Sequence, residues 1–176
     1  MNLLLDTCTF LWAISAPDQL SQAARQALED GNNRLSLSLA SMWEIQIKYQ
    51  SGQLTLTHTP KETIELGMER HDVDYQSLAS TAIWQLQKLP LLHKDSFARI
   101  IIATAFCERM TLVTPDPEIH KYPVPVIWQS GTYRLINPKK ICAQLCNPRL
   151  KNRRHTVAMQ TMRNAVHTGT IYPIKI

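Results

Sequence analysis

A chain of 176 residues, 44% of them apolar and 19% charged, is long enough for one domain with a sizeable core and short for two. Its formal charge of +5 is unevenly spread: residues 1–128 hold 10 Lys/Arg and all 14 Asp/Glu, a net −4, whereas residues 129–176 hold 9 Lys/Arg and no acid. The apolar stretch around Ile100–Ile102 is far too short to span a bilayer, and the opening "MNLLLDTCTFLWAISAP" lacks a basic lead and is split by Asp6, so neither a membrane span nor an export signal is expected.

"NLLL" at 2–5 predicts a short buried strand, followed by a helix from about Thr9. "SQAARQALEDG" (21–31) predicts a second helix, capped by Ser21 and ended by Gly31. "RLSLSL" (34–39) alternates strictly and predicts a strand. "SMWEIQIKYQSG" (41–52) predicts a helix stopped by Gly52, although Trp43, Ile45, Ile47 and Tyr49 alternate in a way that also suits a strand. "PKETIELGMER" (60–70) is a helix opened by Pro60, "DVDYQSL" is a weak strand, and "ASTAIWQLQKL" (79–89) is a helix stopped by Pro90. "SFARIIIATAFCERM" (96–110) is the clearest helix, and "TLVT" (111–114) and "VPVIW" (124–128) are the last strands. The four tryptophans, Trp12, Trp43, Trp84 and Trp128, are expected in the core.

Strands that alternate with helices predict an α/β sandwich of three layers, a central parallel sheet with helices on both faces. A boundary is expected near Gln129–Gly131, leaving 1–128 as one domain and 129–176 as a basic C-terminal extension. That extension reads as a poorly ordered tail or as a phosphate-binding arm. Its Cys142-x₃-Cys146, with His155 and His167, is not a convincing zinc spacing. The four cysteines, with no export signal, fit reduced thiols and a cytoplasmic location.

In such a sheet, sites form outside the carboxyl ends of the strands. Asp6 directly follows the first strand, Glu44 lies in the first helical turn after the second, Asp116 lies two residues past "TLVT", and Asp95 opens the long helix. All four are expected at one rim. Converging carboxylates repel one another, and a hard divalent cation with oxygen ligands, Mg²⁺ or Mn²⁺, relieves that repulsion. Each acid also has a plainer reading. "SMWE" matches a Ser-x-x-Glu capping box, Asp95 is a helix cap, and Asp116 in "TPDPE" is a turn residue. Asp6 is the hardest to explain without a ligand, because an acid behind three leucines at a strand end is costly unless satisfied. His93 and Arg99 flank the rim, either steering phosphate or standing as solvated charges.

These blocks resemble the PIN-domain ribonucleases, and most closely the toxin halves of toxin–antitoxin pairs of the VapC kind. The matching stretches are "NLLLDTCTFLW", "LSLASMWEIQIKYQSGQL", "LPLLHKDSFARIIIATA", "MTLVTPD" and "YPVPVIW", in order across 1–128. The resemblance implies a Mg²⁺- or Mn²⁺-dependent endoribonuclease with an RNA substrate, a small antitoxin partner and a homodimeric state. Carried over by position, it implies an acidic cluster of Asp6, Glu44 and Asp116, with the Thr7 and Thr114 hydroxyls beside it. It also exposes a departure. The usual Asp-x-Phe-Asp-Arg block reads Asp95-Ser96-Phe97-Ala98-Arg99, so the second aspartate is an alanine, and Asp95 is left as a partial substitute or only a cap. Cys8 stands where many relatives carry His, and reads as a small core residue in preference to a soft ligand. Two functions follow: a metal-dependent RNA endonuclease, or a PIN-fold protein with an impaired site that binds RNA or a partner without cutting. A phosphatase of the Asp-x-Asp type is disfavoured, because Cys8 stands two after Asp6.

Overall fold

The computed structural model describes residues 1–128. The expectations for the basic extension, including its cysteines and histidines, lie outside the described residues. Among these, five strands form one parallel sheet: β1 (Asn2–Leu5), β2 (Arg34–Ser38), β3 (Val73–Gln76), β4 (Thr111–Val113) and β5 (Val126–Ile127), in the order β3-β2-β1-β4-β5. Six helices connect them: α1 (Thr7–Ser15), α2 (Gln22–Glu29), α3 (Leu39–Gln50), α4 (Pro60–His71), α5 (Ser80–Gln85) and α6 (Ser96–Glu108). None of them is long and apolar enough to cross a membrane.

β1 is central, and this explains its unbroken leucines. Leu3 and Leu5 point into one core with Phe10, Trp12, Ala24, Ile45, Ile64 and Met68, while Leu4 points into the other with Ile101, Ile102 and Leu112. A strand covered on both faces reads as a continuous apolar run rather than an alternation. The first core is roofed by α1, α2 and α4, the second by α5 and α6, and α3 supplies Ile45 to one and Ala40 to the other. This is the three-layer parallel sandwich predicted from the sequence.

The register runs Leu4↔Ser36 to one side and Leu4↔Leu112 to the other. The chain leaves β1 toward β2 and β3, then crosses back to place β4 on the opposite side of β1. The strand order therefore reverses between β1 and β4, the kind of switch point outside whose carboxyl ends parallel α/β sheets place their sites. Asp6 follows one of these strands and Asp116 the other.

Local chemistry sets the helix ends. Asp6 caps α1, Ser21 caps α2 through the Ala24 N–H, Thr59 and Glu62 form a full capping box on α4, and Asp95 caps α6. Two expectations shift. α3 begins at Leu39 rather than Ser41, because Ser38 takes the cap and accepts from the Ala40 N–H. Ser41 is thereby moved into the helix interior, and Glu44 into its second turn, so Ser41–Glu44 is not a capping box. α5 ends at Gln85, short of Pro90.

The tryptophan expectation is half overturned. Trp12 is buried and packs against Trp128, ring centroids 6.0 Å apart. Trp43 and Trp84 are 60% and 65% exposed. Trp43 shares an outward stripe of α3 with Leu39 and Ile47, and the alternation that suggested a strand was two helical faces superposed.

Candidate active site

The three strand ends bring Asp6, Glu44 and Asp116 together through two threonines. Asp6 stands one residue past β1, and its backbone N–H donates to the Val113 carbonyl at 3.1 Å, tying it to the end of β4. Its Oδ1 accepts from the Thr7 N–H at 2.7 Å, and its Oδ2 accepts from the Thr114 hydroxyl at 2.9 Å. The Thr7 hydroxyl turns the other way and donates to Glu44 Oε2 at 2.7 Å. Thr114 in turn accepts from the Asp116 N–H at 3.2 Å. Each threonine thus joins Asp6 to a second acid. Thr7, Thr114 and Glu44 are all buried.

The charge balance of this rim is uneven. Glu44 pairs with Lys48, one turn further along α3. Asp116 Oδ1 accepts from the Glu118 N–H at 2.8 Å, and its Oδ2 lies 2.9 Å from His93 Nε2. Asp6 has hydroxyl and amide donors but, among the described residues, no cation in contact. Its carboxyl is pushed up from 3.8 to about 7, first by burial, then by the negative charge of Glu44, with Asp116 adding to it and the bonds from Thr114 and Thr7 opposing. The two acids that raise it are those expected to share the site.

Among the described residues, no group of three or more His, Cys, Asp or Glu side chains is placed to hold a metal ion by itself. The residues fit a hydrated Mg²⁺ or Mn²⁺ instead, which keeps several waters and takes one or two carboxylates. Two observations support that fit. The donor set is all oxygen, with no countercharge on Asp6 among the described residues. In addition, the Ser41 hydroxyl, one turn before Glu44 on the same face of α3, is buried without a hydrogen-bond partner among the described residues. A water held at the rim would satisfy it.

Asp95 and Arg99 stand differently. The Asp95 carboxylate is exposed and accepts from the Phe97 N–H at 2.8 Å, capping α6. Its backbone N–H donates to His93 Nδ1 at 3.0 Å, which links it to Asp116 through the imidazole ring. Arg99 spreads its guanidinium over the carbonyls of Pro90 (2.7 Å) and Leu86 (3.1 Å), fastening the segment between α5 and α6. Ala98 is half-buried and packs against the second core. Cys8 is half-buried against the first. Sequence reasoning missed Lys48, for which the i,i+4 spacing from Glu44 was the available signal. It also missed the contact between His93 and Asp116, residues 23 apart that only the tertiary fold brings together.

A sequence model of the PIN domain family matches residues 3–125. No curated protein matches the sequence. Among solved structures, the chain is similar to VapBC2 from Rickettsia felis bound to a DNA fragment from their promoter. The match has 18% identity and a TM-score of 0.58, and covers 72% of this chain and 98% of that one. VapBC-1 from nontypeable Haemophilus influenzae matches at 18% identity and TM-score 0.48, over 72% of this chain and 97% of that one. FitAB bound to the IR36 DNA fragment matches at 17% identity and TM-score 0.47, over 74% and 99%. At these identities the likeness is one of fold.

Proposed function

The chain belongs to the PIN domain family, and from that membership we propose that it is a Mg²⁺- or Mn²⁺-dependent endoribonuclease, the toxin half of a toxin–antitoxin pair. The observation that carries this reading is the joining of Asp6 to Glu44 through Thr7 and to Asp116 through Thr114, with the Asp6 carboxyl pushed up to about 7.

Asp6, Glu44 and Asp116 are the residues that would hold the cation. A bound divalent cation neutralises phosphate charge and activates water for attack on a phosphodiester. The chain's own groups prepare for this. Thr7 fixes Glu44, Thr114 fixes Asp6, and Arg99 pins the segment that leads to His93 and Asp95. Near neutral pH the raised Asp6 carboxyl would be partly protonated in the metal-free chain, and a cation held there would favour its ionised form. Asp95 contributes through the N-terminus of α6 and its amide to His93.

The partners are RNA, a small antitoxin and a second copy of the chain, in the cytoplasm. The VapBC2 complex supports the antitoxin partner. Position 98 favours a second reading, a PIN-fold protein that binds RNA or a partner without cutting, because α6 offers a packed alanine in place of an acid. The test is an unstructured RNA incubated with the full chain as Mn²⁺ is raised. Cleavage supports the nuclease, whereas RNA bound but intact at saturating metal selects the second reading.

A further inference from the structure

His93 sits at the junction of three hydrogen bonds beside the acidic rim. Its backbone N–H donates to the Tyr122 hydroxyl at 2.8 Å, its Nδ1 accepts from the Asp95 N–H at 3.0 Å, and its Nε2 lies 2.9 Å from Asp116 Oδ2. The ring is more enclosed than its partner, 12% exposed against 31% for Asp116. The amide hydrogen of Asp95 points at Nδ1, so that nitrogen presents its lone pair and the ring hydrogen resides on Nε2. Nε2–H therefore donates to Asp116 Oδ2, while Oδ1 is held by the Glu118 N–H. With both oxygens bonded, the Asp116 carboxylate has one orientation.

The ring itself is anchored. Tyr122, buried in the second core, donates its hydroxyl to the Pro90 carbonyl at 3.0 Å, and Arg99 bonds the same carbonyl. The segment bearing His93 is thus clamped to α6 and to the turn after β4. In this arrangement the α6 N-terminus reaches the site through a backbone amide and an imidazole.

We propose that His93 is a positioning residue that orients the Asp116 carboxylate for the cation, with the Asp95 amide fixing its tautomer. The inference rests on the cation-site reading of Asp6, Glu44 and Asp116. It places the contribution of Asp95 in its main chain, so that removing the Asp95 carboxylate perturbs the site less than removing the donor on His93.

Two near-isosteric variants separate positioning from mere packing. In His93→Gln the side-chain amide nitrogen falls where Nε2 stands, keeping the donor to Asp116. In His93→Asn the shorter side chain meets only the Asp95 amide and withdraws that donor. Mn²⁺ is titrated calorimetrically into the full chain at one pH, with the metal-free thermal midpoint measured in parallel. His93→Asn is expected to weaken Mn²⁺ binding about tenfold, and His93→Gln by less than about threefold, the scale usual for groups that orient metal ligands. In an Asp116→Asn background, His93→Asn should add almost nothing further. Unchanged affinity in His93→Asn, equal weakening in both variants, or a full additional loss in the Asp116→Asn background would each overturn the inference. Asp6→Asn tests the reading beneath it. Wild-type Mn²⁺ binding there would remove the cation site itself, whereas loss there beside unchanged affinity in His93→Asn would remove only the role of His93.

Discussion

Replacing Asp6 by Asn should make the metal-free protein more stable, and only above mildly acidic pH. The folded carboxyl titrates near 7 and the unfolded one near 3.8, so between these values the folded chain holds a proton that the unfolded chain has released. Stability then falls as pH rises through that interval and levels off above it, because the folded state binds more protons than the unfolded one. At about 1.4 kcal/mol per unit the full shift corresponds to at most about 4 kcal/mol, and partial exposure of Asp6 with relaxation of the rim brings it to about 2–3 kcal/mol. Asn removes the ionisation and keeps a carbonyl oxygen for the Thr7 N–H. In urea denaturation with EDTA, Asp6→Asn should exceed the natural chain by about 2–3 kcal/mol at pH 8.5 and show little advantage at pH 4. Mn²⁺ at a hundred times its Kd should cancel that advantage, since it adds about 2.7 kcal/mol to the natural chain alone. A stability difference that stays flat with pH, or a variant less stable at pH 8.5 in EDTA, would refute the electrostatic account of the rim.

Lys48→Met leaves Glu44 buried beside Asp6 without its cation, and should cost about 2–4 kcal/mol in EDTA at neutral pH, read by urea denaturation. Ala98→Asp inserts a carboxylate where a side chain packs on the second core, so the metal-free thermal midpoint should drop while Mn²⁺ affinity by calorimetry rises. Gly67→Ala places a Cβ 2.6 Å from Ile14 Cδ1 and 3.0 Å from Phe10 Cζ, between α4 and α1. That overpacking, about 1–3 kcal/mol, should outweigh the roughly 1 kcal/mol gained in helix propensity, and a rise in thermal midpoint would contradict it.

The elements that the sequence made legible are those whose local signals agree with their burial. The leucines of β1 marked a buried strand, and Pro60 marked the start of α4, where the structure adds a capping box of Thr59 and Glu62. The convergence of Asp6, Glu44 and Asp116 followed from parallel topology, since strand ends share one edge. α3 was harder, because Ser38 and Ser41 both offer a cap and only the end of β2 decides between them. The exposed Trp43 was misplaced because apolar character does not report which helical face meets the core. It lies 5.2 Å from Phe97, ring centroid to centroid, on the outer side of α3. The partners of Arg99 and His93 were illegible for a related reason. A side chain that spans two loops leaves no periodic trace, and Arg99 donates to the carbonyls of Pro90 and Leu86.

The central claim, that the acidic rim is a cation-dependent RNA-cleaving centre, is tested most directly by the cleavage rate of a labelled RNA oligonucleotide. The full natural chain is compared with Asp6→Asn and Glu44→Gln, in EDTA and across a Mn²⁺ titration. The account predicts no cleavage in EDTA, a rate that rises with Mn²⁺ and saturates, and a loss of about a hundredfold or more in each variant. Cleavage that persists in EDTA, or that survives in Asp6→Asn at saturating Mn²⁺, would contradict it.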